Sequence, residues 1–248
     1  MIMILELLLF LCSMIFFPAA YSQDVTLNAE IEAKTKYVWR AVYVGPEPFV
    51  FQPSATLSVD DLSFEIWANM DTDPARVTVN EVDYILSYNI NLGSFGIEPA
   101  FIYYAYPVAF QNSAEISAKL YYSINNNFTL YNTHYFSVLG RDGYLNNAYY
   151  MDLGLEYSKQ LLMKLFVQAD LSFAFASSRF NLNNANVDRA GLDNLIIDVQ
   201  VPYYVTKHFY LRPRVTFSTL LMGALRESLR SKQRTSNFVF SFAIGTDI

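Results

Sequence analysis

Thiols are almost missing from this 248-residue chain: its single cysteine, Cys12, lies inside the first apolar run. Disulfide scaffolds and cysteine-built metal sites are thereby excluded. Histidine is nearly as scarce, with His134 and His208 alone, which leaves no basis for a histidine-rich metal centre. Positive charge is in deficit, 17 Lys and Arg against 23 Asp and Glu for a net −6, and a general nucleic-acid binder is not expected. No glycine-rich phosphate loop, Walker-type lysine or EF-hand spacing occurs, so no cofactor is expected. After residue 23 no apolar run approaches the roughly 18 residues of a membrane-spanning helix.

The apolar run LLLFLCSMIFF (7–17) is followed by Pro18 and by Ala20-Tyr21-Ser22 ahead of Gln23. That is the layout of a cleaved secretory signal over residues 1–22, with 23–248 as the mature chain. The segment before the run carries Glu6 and no Lys or Arg, and a retained N-terminal anchor is the alternative.

Aromatic residues are what the chain has in excess: 19 Tyr and 20 Phe. They fall into a period-two alternation, the signature of strands. In residues 25–39, Val25, Leu27, Ala29, Ile31, Ala33, Tyr37 and Trp39 share one parity, and Asn28, Glu30, Glu32, Lys34 and Lys36 share the other. One face is oil-like and the opposite face is ionic. Arg40 continues the ionic parity and puts Trp39 and Ala41 on the apolar side. Residues 62–70 alternate in the same way, and in 236–248 Phe238, Phe240, Phe242 and Ile244 line up.

Twelve such segments are expected: 25–44, 49–59, 62–70, 77–90, 95–107, 113–124, 128–139, 144–157, 162–177, 191–205, 209–221 and 236–248. Short turns at 60–61, 91–94, 125–127, 158–161 and 206–208 alternate with longer loops near 45–48, 71–76, 108–112, 140–143, 178–190 and 222–235. Sorting of loops by parity is expected of an outer-membrane barrel and has no cause in a soluble sandwich. The expected fold is therefore all-β, a transmembrane antiparallel up-and-down β-barrel of about 12 strands in one domain. Tyr103, Tyr104, Tyr106, Tyr121, Tyr122, Tyr149, Tyr150, Tyr203 and Tyr204 are expected in interfacial girdles. A secreted soluble barrel or sandwich is the competing class.

Parity assigns candidate pore-lining residues: Arg40, Gln52, Asn69, Glu32, Lys36, Glu65, Glu81, Asp83, Lys119, Asp198, Arg212 and Arg214. Rings of such charges select permeant ions, or they pair across a narrow lumen and stiffen it. Arg40, Gln52 and Asn69 are expected in one row near the outer mouth. The stretch Lys36-Tyr37-Val38-Trp39-Arg40 followed by Phe51-Gln52-Pro53-Ser54 resembles the Tyr-x-Trp/Phe-Arg-Gly … Gln-Pro start of the TorF-like putative porins, with Ala41 where that pattern has Gly. The match covers about thirty residues. It implies a porin-like protein of the Gram-negative cell outer membrane and transfers no substrate.

A basic stretch, Arg226, Arg230, Lys232 and Arg234, falls in a loop assigned to the outside, where it would meet lipopolysaccharide phosphates or draw in anions. Expected partners are outer-membrane lipid and lipopolysaccharide, small polar solutes and the barrel-assembly machinery during insertion, with no nucleic acid. A structural or adhesive barrel with an occluded lumen is a second class. A lipid-modifying barrel enzyme is the third, but His134, the only strand histidine, has Asn132 and Phe136 rather than Ser on its face.

Overall fold

The computed structural model describes residues 24–45, 49–73, 76–108, 112–140, 147–230 and 235–248; the signal-like segment 1–22 lies outside them. Twelve strands form the wall. They begin with β1 (Val25–Lys34), β2 (Val50–Val59), β3 (Leu62–Asp73) and β4 (Arg76–Tyr88). Next come β5 (Phe95–Ala105), β6 (Ser113–Ser123), β7 (Phe128–Leu139) and β8 (Tyr149–Leu162). The set ends with β9 (Leu165–Ala176), β10 (Gly191–Gln200), β11 (Phe209–Leu220) and β12 (Ser236–Asp247). Two short pieces, Ile90–Leu92 and Tyr203–Tyr204, prolong β4 and β10 along their neighbours. Each strand runs antiparallel to the next, and β1 pairs with β12 from Asn28↔Asp247 to Lys34↔Ser241. The sheet is closed, so no wall strand is left with an open edge.

Alternation sets the two faces. On β12, Phe238 and Phe240 are 59% and 57% exposed while Asn237 and Val239 are 1% and 5%. Leu57, Ile66, Leu86, Phe101, Ile116, Leu130, Leu153, Phe173, Ile197 and Val215 repeat the outward pattern around the circumference. A belt of this extent far exceeds the few hundred Å² of apolar patch that a soluble monomer exposes. It suits hydrocarbon, and the closed wall is a barrel of the transmembrane kind. The same alternation corrects the girdle expectation. Adjacent tyrosines cannot both face out: Tyr122 and Tyr203 do, whereas Tyr104 and Tyr150 are buried inside.

Three inward glycines admit a tyrosine from the neighbouring strand. Gly96 pairs with Tyr121, Gly154 with Tyr131 and Gly245 with Tyr210. A Cβ on these glycines would come within 2.0, 2.4 and 2.4 Å of the opposed ring, so each tyrosine lies flat against the wall only because its partner has no side chain.

Several element bounds differ from the sequence expectation. β1 stops at Lys34, because residues beyond it turn inward instead of continuing the wall to 44. The 158–161 segment is strand and not turn; β8 and β9 pair out to Leu162↔Leu165. Near 71–76 the strands run to Asp73 and from Arg76, which leaves a two-residue connection where a longer loop was expected. The two long loops contain helices. In α1 (Ser178–Ala185) the Ser177 side chain caps the N-terminus by accepting from the Phe180 N–H, and left-handed Asn186 ends it. In α2 (Gly223–Leu229) no side chain caps the start. Leu225 and Leu229 hold it instead, packed with Leu220, Met222, Ala185 and Ala41.

Candidate functional site

Residues 35–45 fold into the barrel at its loop-bearing end. Within them Val38–Trp39 pairs with Val42–Tyr43 in a small hairpin. The two residues between, Arg40 and Ala41, have φ of 49° and 65°. Two consecutive positive φ angles are what a two-residue type I′ turn requires, and glycine or asparagine usually supplies them. Here neither does. Ala41 is fully buried in the cluster formed with the helices.

The hairpin touches much of the wall. Tyr37 packs against Trp67 of β3 in a tilted arrangement, with ring centres 5.6 Å apart. Arg40 binds Glu115 of β6 through both terminal nitrogens, at 3.0 and 2.7 Å. Its guanidinium carbon lies 4.4 Å from the ring centre of Trp39, 4.5 Å from Tyr135 of β7, 4.3 Å from Tyr150 of β8 and 5.2 Å from Phe180 of α1. Asn194 of β10 donates to the Arg40 carbonyl at 3.2 Å, and Asn237 of β12 to the Ala41 carbonyl at 3.3 Å. Contacts to β3, β6, β7, β8, β10 and β12 mean that the segment crosses the interior and is not a lining strand. Burial works against the charge, but Glu115 and the neighbouring tyrosines outweigh it and raise the guanidinium's pKa above its ordinary value.

The expected row of Arg40, Gln52 and Asn69 is therefore corrected in part. Gln52 does donate to Asn69, at 2.9 Å in a buried setting. Asn69 reaches Asn80, which a bulge in β4 turns inward, and Asp71. Arg40 is elsewhere, on Glu115, because the left-handed turn redirects the chain. Trp39 and Ala41 point into the interior, not toward lipid.

Below the hairpin, toward the short turns, the charges pair. Arg212 binds Glu30 and donates to Gln200, at 2.6 Å in the latter case. Arg214 meets Asp198 at 2.7 Å and Glu32 at 3.8 Å, and Lys34 meets Glu32 at 3.1 Å. Lys119 binds Glu156 at 2.6 Å and lies 4.7 Å from the Tyr131 ring centre. Lys36 sits on the inward-turning segment and Glu81 is buried on β4. Glu65, Asp83, Asp152 and Asp170 have no ion-pair partner among the described residues, and one oxygen on each of the three aspartates lacks a hydrogen bond.

The basic loop is partly helical. Arg226 folds back to donate to the Leu220 carbonyl at 2.5 Å, Arg230 follows α2, and Lys232 and Arg234 lie outside the described residues. His134 is on the outward parity with Leu130 and Phe136, and its Nδ1 is 2.8 Å from the Tyr149 hydroxyl. Among the described residues that gives it Tyr149, and no serine, as the side-chain partner, unlike the pair that acyl transfer needs. Among the described residues no group of three or more metal-binding side chains occurs.

Sequence reasoning missed Tyr104, Tyr135, Tyr150, Phe180, Asn194 and Asn237. One signal for Asn194 was readable. Asp193-Asn194 are consecutive polar residues in an otherwise alternating strand, and both are buried inside where the β9–β10 register shifts.

No protein-family profile matches the sequence, and no curated protein matches it. Solved outer-membrane barrels do. A KdgM porin superposes with a TM-score of 0.52 at 12% identity, covering 89% of this chain and 98% of that one. A NanC porin gives 0.50 at 10% identity, covering 90% and 98%. The COG4313 outer membrane channel from Pseudomonas putida F1 gives 0.53 at 9% identity, covering 92% and 97%. At these identities the likeness is one of fold: a closed antiparallel β-barrel like those of outer-membrane porins. It does not extend to the narrower TorF-like family, which rests on the short N-terminal motif.

Proposed function

We propose that the protein is a narrow outer-membrane channel of a Gram-negative bacterium, exported by a signal at 1–22, that passes small polar solutes or ions by passive diffusion. The observation that carries this reading is the pairing of an apolar outer face with an ionic, hydrogen-bonding interior in one closed wall. Charged and hydrogen-bonding side chains keep such an interior wettable, as passage of polar solutes requires. The fold shared with the porins and the channel named above supports it. Arg226 and Arg230 face the loop-bearing end, where lipopolysaccharide phosphates would lie, and insertion would use the barrel-assembly machinery. Residues 35–45 form the constriction in this reading.

A second reading is favoured by that same segment: a structural or adhesive barrel whose lumen stays occluded. Planar-bilayer recordings of the purified protein separate the two. Small discrete conductance steps, enlarged when residues 36–44 are replaced by a Gly-Ser linker, are expected for the channel. Absence of steps from the parent protein, with both proteins still heat-modifiable on gels, would establish the occluded barrel, whether or not the linker variant conducts.

A further inference from the structure

Arg40 occupies a receptor made of wall residues. Its guanidinium has a carboxylate in the bidentate position and four aromatic rings within 5.2 Å of its central carbon. Tyr135, Tyr150 and Glu115 belong to wall strands, so this part of the box is built independently of the hairpin that fills it, whereas Phe180 comes from α1 and Trp39 from the hairpin itself. Tyr104 completes the box by donating to the same Glu115 oxygen at 2.9 Å. Such a set recognises a planar, weakly hydrated cation by cation–π contact and by fork-to-fork hydrogen bonding.

Among the described residues the box is not sealed. A cavity of about 240 Å³ adjoins it, lined among others by Trp39, Tyr104, Glu115, Phe180, Asn183 and Asn184. Asn183 and Asn184 are exposed, so the cavity opens to solvent beside α1 while its inner wall includes the carboxylate that holds Arg40. We infer that this cavity is a binding site for a small guanidinium compound, which competes with Arg40 for Glu115 and the aromatic box. The hairpin is then a tethered ligand in its own receptor, and a solute that takes its place loosens residues 35–45. The tether gives Arg40 a high effective concentration, so the external compound binds weakly until Arg40 is removed.

Tryptophan fluorescence tests this without requiring conduction. The chain has two tryptophans, so Trp67→Phe leaves Trp39, in the cavity wall, as the reporter. In detergent micelles, methylguanidinium is expected to change its emission saturably, whereas urea and glucose at equal concentration do not. Adding Arg40→Met is expected to tighten methylguanidinium binding at least tenfold, and adding Glu115→Gln to that double variant to weaken it at least tenfold. An affinity unchanged by Arg40→Met, or unchanged by Glu115→Gln, overturns the proposal. Should Arg40→Met fail to fold, amide exchange of the Trp67→Phe protein decides. Methylguanidinium must accelerate exchange in residues 35–45 beyond the effect of equimolar urea, and equal rates overturn the proposal.

Discussion

Glu115 is 5% exposed and has Arg40 and Tyr104 as its hydrogen-bond donors. Removing the arginine leaves a buried carboxylate without its counter-charge, a loss of about 3–5 kcal/mol for a broken buried pair. The loss falls on the hairpin and not on the wall, because Arg40 belongs to no wall strand. Arg40→Ala is therefore expected to leave the heat-modifiable barrel intact but to raise tryptic cleavage after Lys36 at least about tenfold, as an opening equilibrium of this size implies. Ala41 is a different case. Its φ of 65° costs an alanine about 1–2 kcal/mol. Glycine would relieve that, but it would lose a buried methyl worth about 0.8 kcal/mol and gain unfolded-chain freedom of about 0.4–1 kcal/mol. The contributions nearly cancel, so Ala41→Gly is expected to move stability by less than about 1 kcal/mol in urea unfolding. Ala41→Val, β-branched in a left-handed turn and fully buried, is expected to open the hairpin. Arg40 and Ala41 could not be placed from sequence because Trp39 and Tyr37 continue β1's parity. Nothing in Trp-Arg-Ala-Val announces a turn whose strain is met by burial.

The wall strands were legible for a physical reason. Lipid on one side and water or ion pairs on the other force period two, and β12 shows it with Phe238, Phe240 and Phe242 outward against Asn237 and Ser241 inward. Connections were less legible. Residues 158–161, with the polar character of a turn, are strand because Lys159 and Gln160 pair with Val167 and Phe166, and polar residues near a bilayer surface look the same in strand or turn. Helices α1 and α2 were hidden because each is short and is stabilised by packing on the wall, on each other and on the hairpin more than by its own pattern. The tyrosine–glycine pairs give a test at this scale. Gly245→Ala puts a methyl into the Tyr210 ring, and overpacking of this kind costs about 1–3 kcal/mol. The expected result is a lower urea midpoint, restored when Tyr210→Phe or a smaller residue lets the ring move. Phe240→Arg, on the lipid face of the same strand, is expected to cost about 2–4 kcal/mol if the residue sits near mid-bilayer, whereas a polar change at inward Ser241 costs less.

Taken whole, the interior carries its bases in pairs and leaves acids over. Arg40, Lys34, Lys119, Arg212 and Arg214 each have a carboxylate partner, while Glu65, Asp83, Asp152 and Asp170 have no ion pair among the described residues. If the lumen conducts, reversal potentials in a KCl gradient at alkaline pH are expected to have the sign of cation preference. Glu65→Gln with Asp83→Asn is expected to reduce it by about half or more, and anion preference in the parent would refute this assignment. The closing seam has a consequence of another kind. Leu27 and Ile248 exchange backbone hydrogen bonds at 2.7 and 2.9 Å, and Asp60 bonds to Asp24 beside them. Wall order is thus cyclic, and the seam between β1 and β12 differs from other neighbouring pairs only in lacking a peptide link. A circular permutant cut between Asp60 and Asp61, with 248 joined to 24 by a short linker, should assemble the same barrel with its strands synthesised in a new order. Cutting instead within 35–45 should close the wall equally well and free the hairpin that crosses it.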